Sequence, residues 1–313
     1  MKKRPAPEAI CLLGPTASGK TNICIELARH FPIEVISIDS ALVYRHMDIG
    51  TAKPDREELS HCPHHLIDIL NPNEHYSAAK FKLDAERLAH EIVMRDKIPV
   101  LSGGTMMYYK ALKDGLNKLP ERDFQIREAI DSEAKQYGWP HIHKNLRKID
   151  PETAQRLSPN DSQRIQRAME IFQITGKPMS KMLNESITNK DTLKTLDIAL
   201  IPESRATLHK HIETRFKQMI VRGLIDEVVE LKKNWNLSLD MPSMRCVGYR
   251  QVWEFLDGNY SKEVLIEKGS AATRQLAKRQ LTWLRSFSIE HTVDPYAIDT
   301  RSYIQKILRA VQH

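Results

Sequence analysis

The chain has 313 residues, 41% hydrophobic and 28% charged, enough for more than one domain and ordinary for a globular protein. No run reaches the roughly 20 apolar residues of a membrane span. Four scattered cysteines without a CxxC pair argue against a disulfide framework or a cysteine zinc site and for a reducing, cytoplasmic setting. The net charge of +7 favours a polyanionic partner without naming one.

The N-terminal "MKKRPAPEAI" reads as a short tail before a first strand, because its apolar run is too short for a signal peptide. Ala9 to Leu13 is apolar and ends at Gly14. "TNICIELARHF" then has helical spacing, with Ile23, Leu27 and Ala28 on one face, and Pro32 stops it. "IEVISIDS" is a β-branched run closing on Asp39 and Ser40, "SAAKFKLDAERLAHEIVMRDK" is an amphipathic helix with Phe81, Leu88 and Ile92 inward, and "IPVLSGG" is a third strand. Strand, loop and helix in alternation predict an α/β fold, a parallel sheet flanked by helices. Such sheets bind ligands beyond the carboxyl ends of their strands, so Gly14, Asp39 and Gly103-Gly104-Thr105 should gather at one place. From about Asn117 the pattern becomes short helices, "DFQIREAIDSEAKQYG", "WPHIHKNLRKID", "PETAQRL" and "SQRIQRAMEIFQITG", until "TLDIALIP" resumes the sheet. That predicts a helical insertion domain over 117–191 within a core domain of 1–116 and 192–313. The remaining segments "ATLHKHIETRFKQMIVRG", "IDEVVELKKN", "VGYRQVWEFLDG" and "KGSAATRQLAKRQLTWLRSF" read as helices.

Gly14-Pro15-Thr16-Ala17-Ser18-Gly19-Lys20-Thr21 fits G-x-x-x-x-G-K-[ST] between a strand and a helix. Glycines let successive N–H groups point at an anion, Lys20 adds charge, the helix adds the positive end of its dipole, and the Thr21 hydroxyl is placed for Mg²⁺ on the phosphates. A nucleoside triphosphatase of this type carries a second strand ending in an acid. Here "VLSGGT" ends without one, and "VISIDS" ends in Asp39 very soon after the loop. Asp39 could support magnesium or act as a base. The loop thus indicates a diphosphate or triphosphate strongly and hydrolysis weakly.

With "GPTASGKT", the segments "DSALVYRHMDIGTAKP", "HHLID", "SGGTMMYYKAL", "NDSQRIQRAMEIF", "RFKQMIVRGLIDEV", "RCVGYRQ" and "ATRQLAKRQLTWLR" occur in one order between Gly14 and Arg285. In this the chain resembles the tRNA dimethylallyltransferases. The resemblance implies a P-loop-type core whose phosphate belongs to dimethylallyl diphosphate. The dimethylallyl group goes to N6 of adenosine 37, next to the anticodon of tRNAs reading codons that begin with U. It implies Asp39 as base, Thr105 at the reacting end and Arg215 on the diphosphate. It places RNA contacts at Asp39, Ser40, Ala41, Leu42 and Thr105, at Arg127, and at Gln163, Arg164, Ile165, Gln166 and Arg167. Further RNA contacts fall at Arg245, Cys246, Val247, Gly248, Tyr249 and Arg250, and at Lys278, Arg279, Gln280, Trp283 and Arg285. The insertion domain would touch the anticodon stem-loop, and the enzyme would be a monomer. Many members carry glutamine two residues before Tyr44; this chain has Leu42 there, a departure from the family that bears on any glutamine contact to RNA at that place and leaves Asp39 and Ser40 unaffected.

A loop-embedded adenine must be extruded to reach a phosphate pocket, and basic segments should hold the backbone. Between Lys268 and Ile289 the chain has Arg274, Lys278, Arg279 and Arg285 and no acid. "HCPHH" is read as no zinc site, because His64 and His65 are adjacent and no acid sits at ligand spacing. His141 and His143 read as surface residues. The rivals are dimethylallyl transfer to a free adenine nucleotide, which has no use for the insertion or the basic helix, a nucleotide kinase, opposed by "LSGGT", and a non-catalytic RNA binder, opposed by Lys20, Thr21 and Asp39.

Overall fold

A computed structural model describes residues 8–117, 119–185 and 193–311; most of the expected N-terminal tail and the expected domain limit at 191–192 lie outside them. The contacts divide the chain into two units, Met1–Lys113 with Leu193–His313, and Asp114–Thr192. The first unit begins β1 (Ala9–Leu13), α1 (Lys20–Ala28), β2 (Ile33–Ile38), α2 (Arg56–His61), β3 (His64–His65), α3 (Ala78–Val93), β4 (Ile98–Gly103) and α4 (Met106–Asp114). The second unit holds α5 (Phe124–Tyr137), α6 (Trp139–Ile149), α7 (Pro151–Arg156), α8 (Ser162–Thr175) and α9 (Met179–Asn184). The chain returns with β5 (Thr195–Leu200), α10 (Arg205–Val221), α11 (Leu224–Asn234), α12 (Tyr249–Leu256), α13 (Lys262–Leu284), β6 (His291–Val293) and α14 (Thr300–Val311).

The six strands of the described residues all run parallel in the order β3-β2-β4-β1-β5-β6. Every residue of β1 and β2 is buried, as expected where helices cover both faces of a parallel sheet. On one face Phe81, Leu88 and Ile92 of α3 join Leu112 of α4 and Ala277 and Leu281 of α13. On the other, Ile23 and Leu27 of α1 pack with Ile304 and Leu308 of α14. In the register, Leu13 faces both Gly103 and Ala199, and Ile38 also faces Gly103. Three strand ends are therefore level, and the loops that follow them start from one edge.

Helix α13 begins at Lys262, earlier than the apolar spacing from Lys268 implies, and it stops at Leu284. Leu265 extends its buried face, and Gly269 lets it cross α10 closely, since a Cβ there would come within 2.0 Å of the Phe216 ring. The insertion folds around Ile130, Ile142, Leu146, Ile165 and Ala168. Asp150 ends α6 and caps α7, accepting from Thr153 N (3.0 Å), the Thr153 hydroxyl (2.8 Å) and Ser180 N (2.8 Å), so one buried carboxylate joins three helices.

Candidate active site

The loop after β1 is curled tightly. A Cβ on Gly14 would lie 2.7 Å from Ser18 Oγ and 3.0 Å from Leu200 Cβ. Gly19 sits at φ 77° and Ala17, without glycine's freedom, at φ 66°, a left-handed conformation that costs an alanine about 1–2 kcal/mol. That strain persists because other groups hold the loop. The Ser18 hydroxyl donates to Pro15 O (2.8 Å), the Tyr296 hydroxyl donates to Ala17 O (3.0 Å), and Thr16 N donates to the Gln280 side chain (2.9 Å). Lys20, at the start of α1, donates to Gly14 O (2.9 Å) and Pro15 O (2.8 Å). Burial lowers its ammonium to about 8, with Asp39 opposing and Arg215 adding to the shift. The Thr21 hydroxyl has no hydrogen-bond partner among the described residues.

The loops after β2 and β4 are tied to each other. Gly104 N and Thr105 N both donate to Ile38 O (3.1 and 3.0 Å), and Ser40 N donates to Thr105 Oγ1 (3.0 Å). The glycine at 103 is required by this approach, because a Cβ would fall 2.2 Å from Ile38 O. Asp39 turns its own loop: Oδ1 accepts from Ala41 N (2.8 Å) and Leu42 N (3.3 Å), and Oδ2 accepts from no described residue. One oxygen fixes the carboxylate and the other remains available to a proton. Arg215 of α10 is half-buried, and among the described residues its one hydrogen bond is a long one to Thr51 O (3.4 Å). Burial lowers its guanidinium, against which the Asp39 charge acts. The Cys246 thiol is pushed up to about 12 by burial and by the same carboxylate. Lys20, Asp39, Thr105, Arg215 and Cys246 thus belong to one neighbourhood.

The segment after Asp39 is anchored by a residue that no motif singled out. Glu227 of α11 accepts from Asp48 N (2.9 Å), Ile49 N (2.7 Å), Gly50 N (3.1 Å) and the Tyr249 hydroxyl (2.6 Å). A Cβ on Gly50 would lie 2.5 Å from the Tyr249 ring. Tyr249 is consequently buried with its hydroxyl used, while Arg245 and Arg250 beside it are exposed. Buried Gly248, at φ 98°, precedes α12, and Val247 is half-buried.

The basic residues expected on RNA fall into two groups. On α13 and just past its end, Lys278, Arg279 and Arg285 are exposed with no carboxylate partner among the described residues, and Trp283 is half-buried. On α8 of the second unit, Gln163 and Arg164 are exposed, whereas Ile165 is buried in that unit's core. Gln166 donates to Asp131 (2.7 Å). Arg127 makes a two-pronged contact with buried Glu170 (2.8 and 2.9 Å), and Arg167 adds a third bond (2.6 Å) and reaches Pro120 O (2.7 Å). Burial would raise the Glu170 carboxyl, but the two arginines outweigh it and hold it down to about 2.

The histidines also have local partners. His64 Nδ1 bonds with Cys62 O (2.7 Å) and His65 Nε2 with Glu34 (2.7 Å). In the second unit His141 pairs with Glu133 (3.1 Å), and His143 bonds with Ala154 O (2.9 Å).

Comparison with known proteins adds three findings. The model of the family described as IPP transferase matches residues 42–287. The chain is 53% identical to the tRNA dimethylallyltransferase of a Janthinobacterium species, with 98% of each covered, and 54% identical to that of Chromobacterium violaceum, covering 90% of this chain and 86% of that one. Among solved structures, the tRNA isopentenylpyrophosphate transferase of Bacillus halodurans superposes with a TM-score of 0.68 at 35% identity, covering 97% and 96% of the two chains. A eukaryotic dimethylallyltransferase acting on tRNA superposes with 0.76 at 28% identity, covering 96% of this chain and 77% of that one.

Proposed function

The chain belongs to the IPP transferase family and prenylates tRNA; we propose that it takes the dimethylallyl group from dimethylallyl diphosphate and places it on N6 of the adenosine beside the anticodon. The observation that carries this reading is the company of Asp39. A carboxylate with one free oxygen stands within electrostatic reach of the phosphate-loop lysine and of Arg215. No helix among the described residues is long and apolar enough to cross a membrane. A monomer working in the cytoplasm is part of the same proposal.

The adenine amino group is a weak nucleophile, because its lone pair is delocalised into the ring. As the new C–N bond forms at the allylic carbon and the C–O bond to the diphosphate breaks, N6 gains positive charge. Asp39 Oδ2 takes the N6 proton as that charge develops. Loop N–H groups, Lys20 and Arg215 receive the departing diphosphate, whose charge grows as the bond breaks. Thr105, fixed by Ser40 N, sets the turn at the reacting end.

Magnesium fits this chain in one limited way. The described residues hold no cluster of three metal-binding side chains, whereas the Thr21 hydroxyl is unengaged at the first turn of α1. Thr21 would hold the ion together with the diphosphate's own oxygens, and when bound it supplies charge neutralisation of the leaving group.

The test is single-turnover transfer from labelled dimethylallyl diphosphate to an unmodified tRNA with an adenosine-rich anticodon loop, in competition with AMP. Label on the tRNA supports the reading; label on AMP alone overturns it.

A further inference from the structure

Gln280 lies on α13 between Arg279 and Leu281, and its place in the sequence groups it with the basic residues expected on RNA. Its geometry separates it from them. The side-chain amide is used at both ends: Oε1 accepts from Thr16 N (2.9 Å), and Nε2 donates to Gly104 O (2.9 Å). These two partners lie in the loops that follow β1 and β4, the phosphate loop and the turn that carries Thr105. The space is shaped for the amide, because a Cβ on Gly104 would sit 2.3 Å from Gln280 Nε2 and 3.0 Å from Gly14 O. A primary amide accepts at its oxygen and donates from its nitrogen in one plane, which suits a backbone N–H on one side and a carbonyl on the other. The loop it holds contains Ala17 at φ 66°, a conformation that needs outside support.

We propose that Gln280 is a positioning residue for the donor, a two-ended amide clamp that holds the phosphate loop against the Thr105 turn. It acts through Thr16 and Gly104 and not by touching RNA, although it sits on the helix whose exposed Lys278 and Arg279 are candidates for the RNA backbone. The inference rests on the reading that this loop holds the donor's diphosphate.

The experiment measures KM for dimethylallyl diphosphate, KM for tRNA, and kcat, in wild type and in Gln280→Ala, Gln280→Glu and Lys278→Ala. Gln280→Ala should raise the donor KM about tenfold, the order expected for one net hydrogen bond, with the tRNA KM within about twofold of wild type. Gln280→Glu keeps the acceptor and loses the donor while its carboxyl is ionised, and it brings a negative charge near the diphosphate. Its donor KM, taken as a ratio to wild type, should therefore fall as the pH is lowered from about 7 toward about 4, through the ordinary glutamate value of about 4.3, and the carboxyl protonates. A role in stability alone would not produce that pH-dependent rescue. Lys278→Ala should show the opposite split, a raised tRNA KM with an unchanged donor KM. If the Gln280 variants raise only the tRNA KM, or if Gln280→Glu shows no rescue at low pH, the clamp is overturned. If wild type itself transfers no label, the donor reading fails instead. Should Gln280→Ala fold poorly, the pH ratio of Gln280→Glu still decides.

Discussion

Arginine and lysine do opposite work in the two units. At the strand ends of the first unit, Lys20 and Arg215 are held close together and their charge is only partly compensated, by Asp39. In the second unit, Arg127 and Arg167 both grip Glu170, which is completely buried, and Arg167 also donates to Pro120 O. A crowded positive charge with too few partners is costly by itself and useful only when an anion arrives. A buried acid gripped by two arginines is a structural bolt. Residue type alone would assign both sets to a polyanionic ligand, and only the partners tell them apart.

The largest effect that would test this contrast lies on the carboxylate among the uncompensated charges. Asp39→Ala should lower the single-turnover transfer rate by about 10²- to 10⁴-fold while leaving the donor KM within a few-fold. Asp39→Asn should do the same, since its side chain keeps the turn but accepts no proton. If transfer survives in both, Asp39 is not the base.

The bolt gives the next largest effect. Arg127→Ala leaves Glu170 buried with one arginine, and should destabilise the second unit by about 2–4 kcal/mol, read as an earlier unfolding transition in urea. The same bolt predicts acid sensitivity. Glu170 ionises at about 2 in the fold and at about 4.3 unfolded. Its contribution is complete above the unfolded value and fades as pH falls from about 4.3 toward 2. A Glu170→Gln variant should lose that slope; if it keeps it, the arginines are not what holds this unit.

Lys20 gives a pH effect of the other sign. In the donor-free protein it releases its proton near pH 8, whereas a bound diphosphate favours the ammonium. Donor affinity should weaken above pH 8, approaching tenfold per unit, and Lys20→Arg, charged throughout, should flatten that dependence. Folding stability should move the opposite way, rising from pH 8 toward the unfolded value near 10.4, because the unfolded chain then binds more protons. Unfolding and donor titrations at pH 7, 8 and 9 separate the two.

The sequence showed the glycine loop after β1, the parallel sheet and the gathering of the loops that carry Asp39 and Thr105 beside it, because each rests on local pattern: glycine spacing, β-branched runs, an acid at a strand end. It did not show what braces them. Gln280 and Tyr296 reach the phosphate loop from more than 260 residues away, and no spacing announces such a bond. Glu227 looks like a surface acid on an amphipathic helix, yet it binds three consecutive backbone N–H groups of the segment after Asp39. The run Gln163 to Arg167 read as one RNA-facing stretch, but a helix turns, and it sends Ile165 into the core while Gln163 and Arg164 stay outside. The two-residue strand β3 passed unseen because its neighbour β2 defines it and not its own composition, whereas α4 and α14 do carry helical spacing, as in the buried Ile304, Ile307 and Leu308.

The smallest predicted effect falls on the charges that have no structural work. Lys278 is exposed on α13 without a carboxylate partner among the described residues, and Arg164 is exposed on α8 with only a neighbouring acid, Asp161, at 3.2 Å. Neither holds its helix together, so removing either should leave the unfolding curve in place. If they meet phosphates, each contact releases about one counterion, and binding weakens by about one power of salt less steeply once it is gone. Lys278→Ala and Arg164→Ala should therefore each weaken tRNA binding by a few-fold at low salt and lower the slope of log affinity against log salt by about 0.7–0.9. Arg127→Ala should leave that slope unchanged in protein that remains folded, because its guanidinium is already occupied. A slope that drops with Arg127→Ala and not with Arg164→Ala would reverse the distinction between spent and unspent cations on which the comparison of the two units stands.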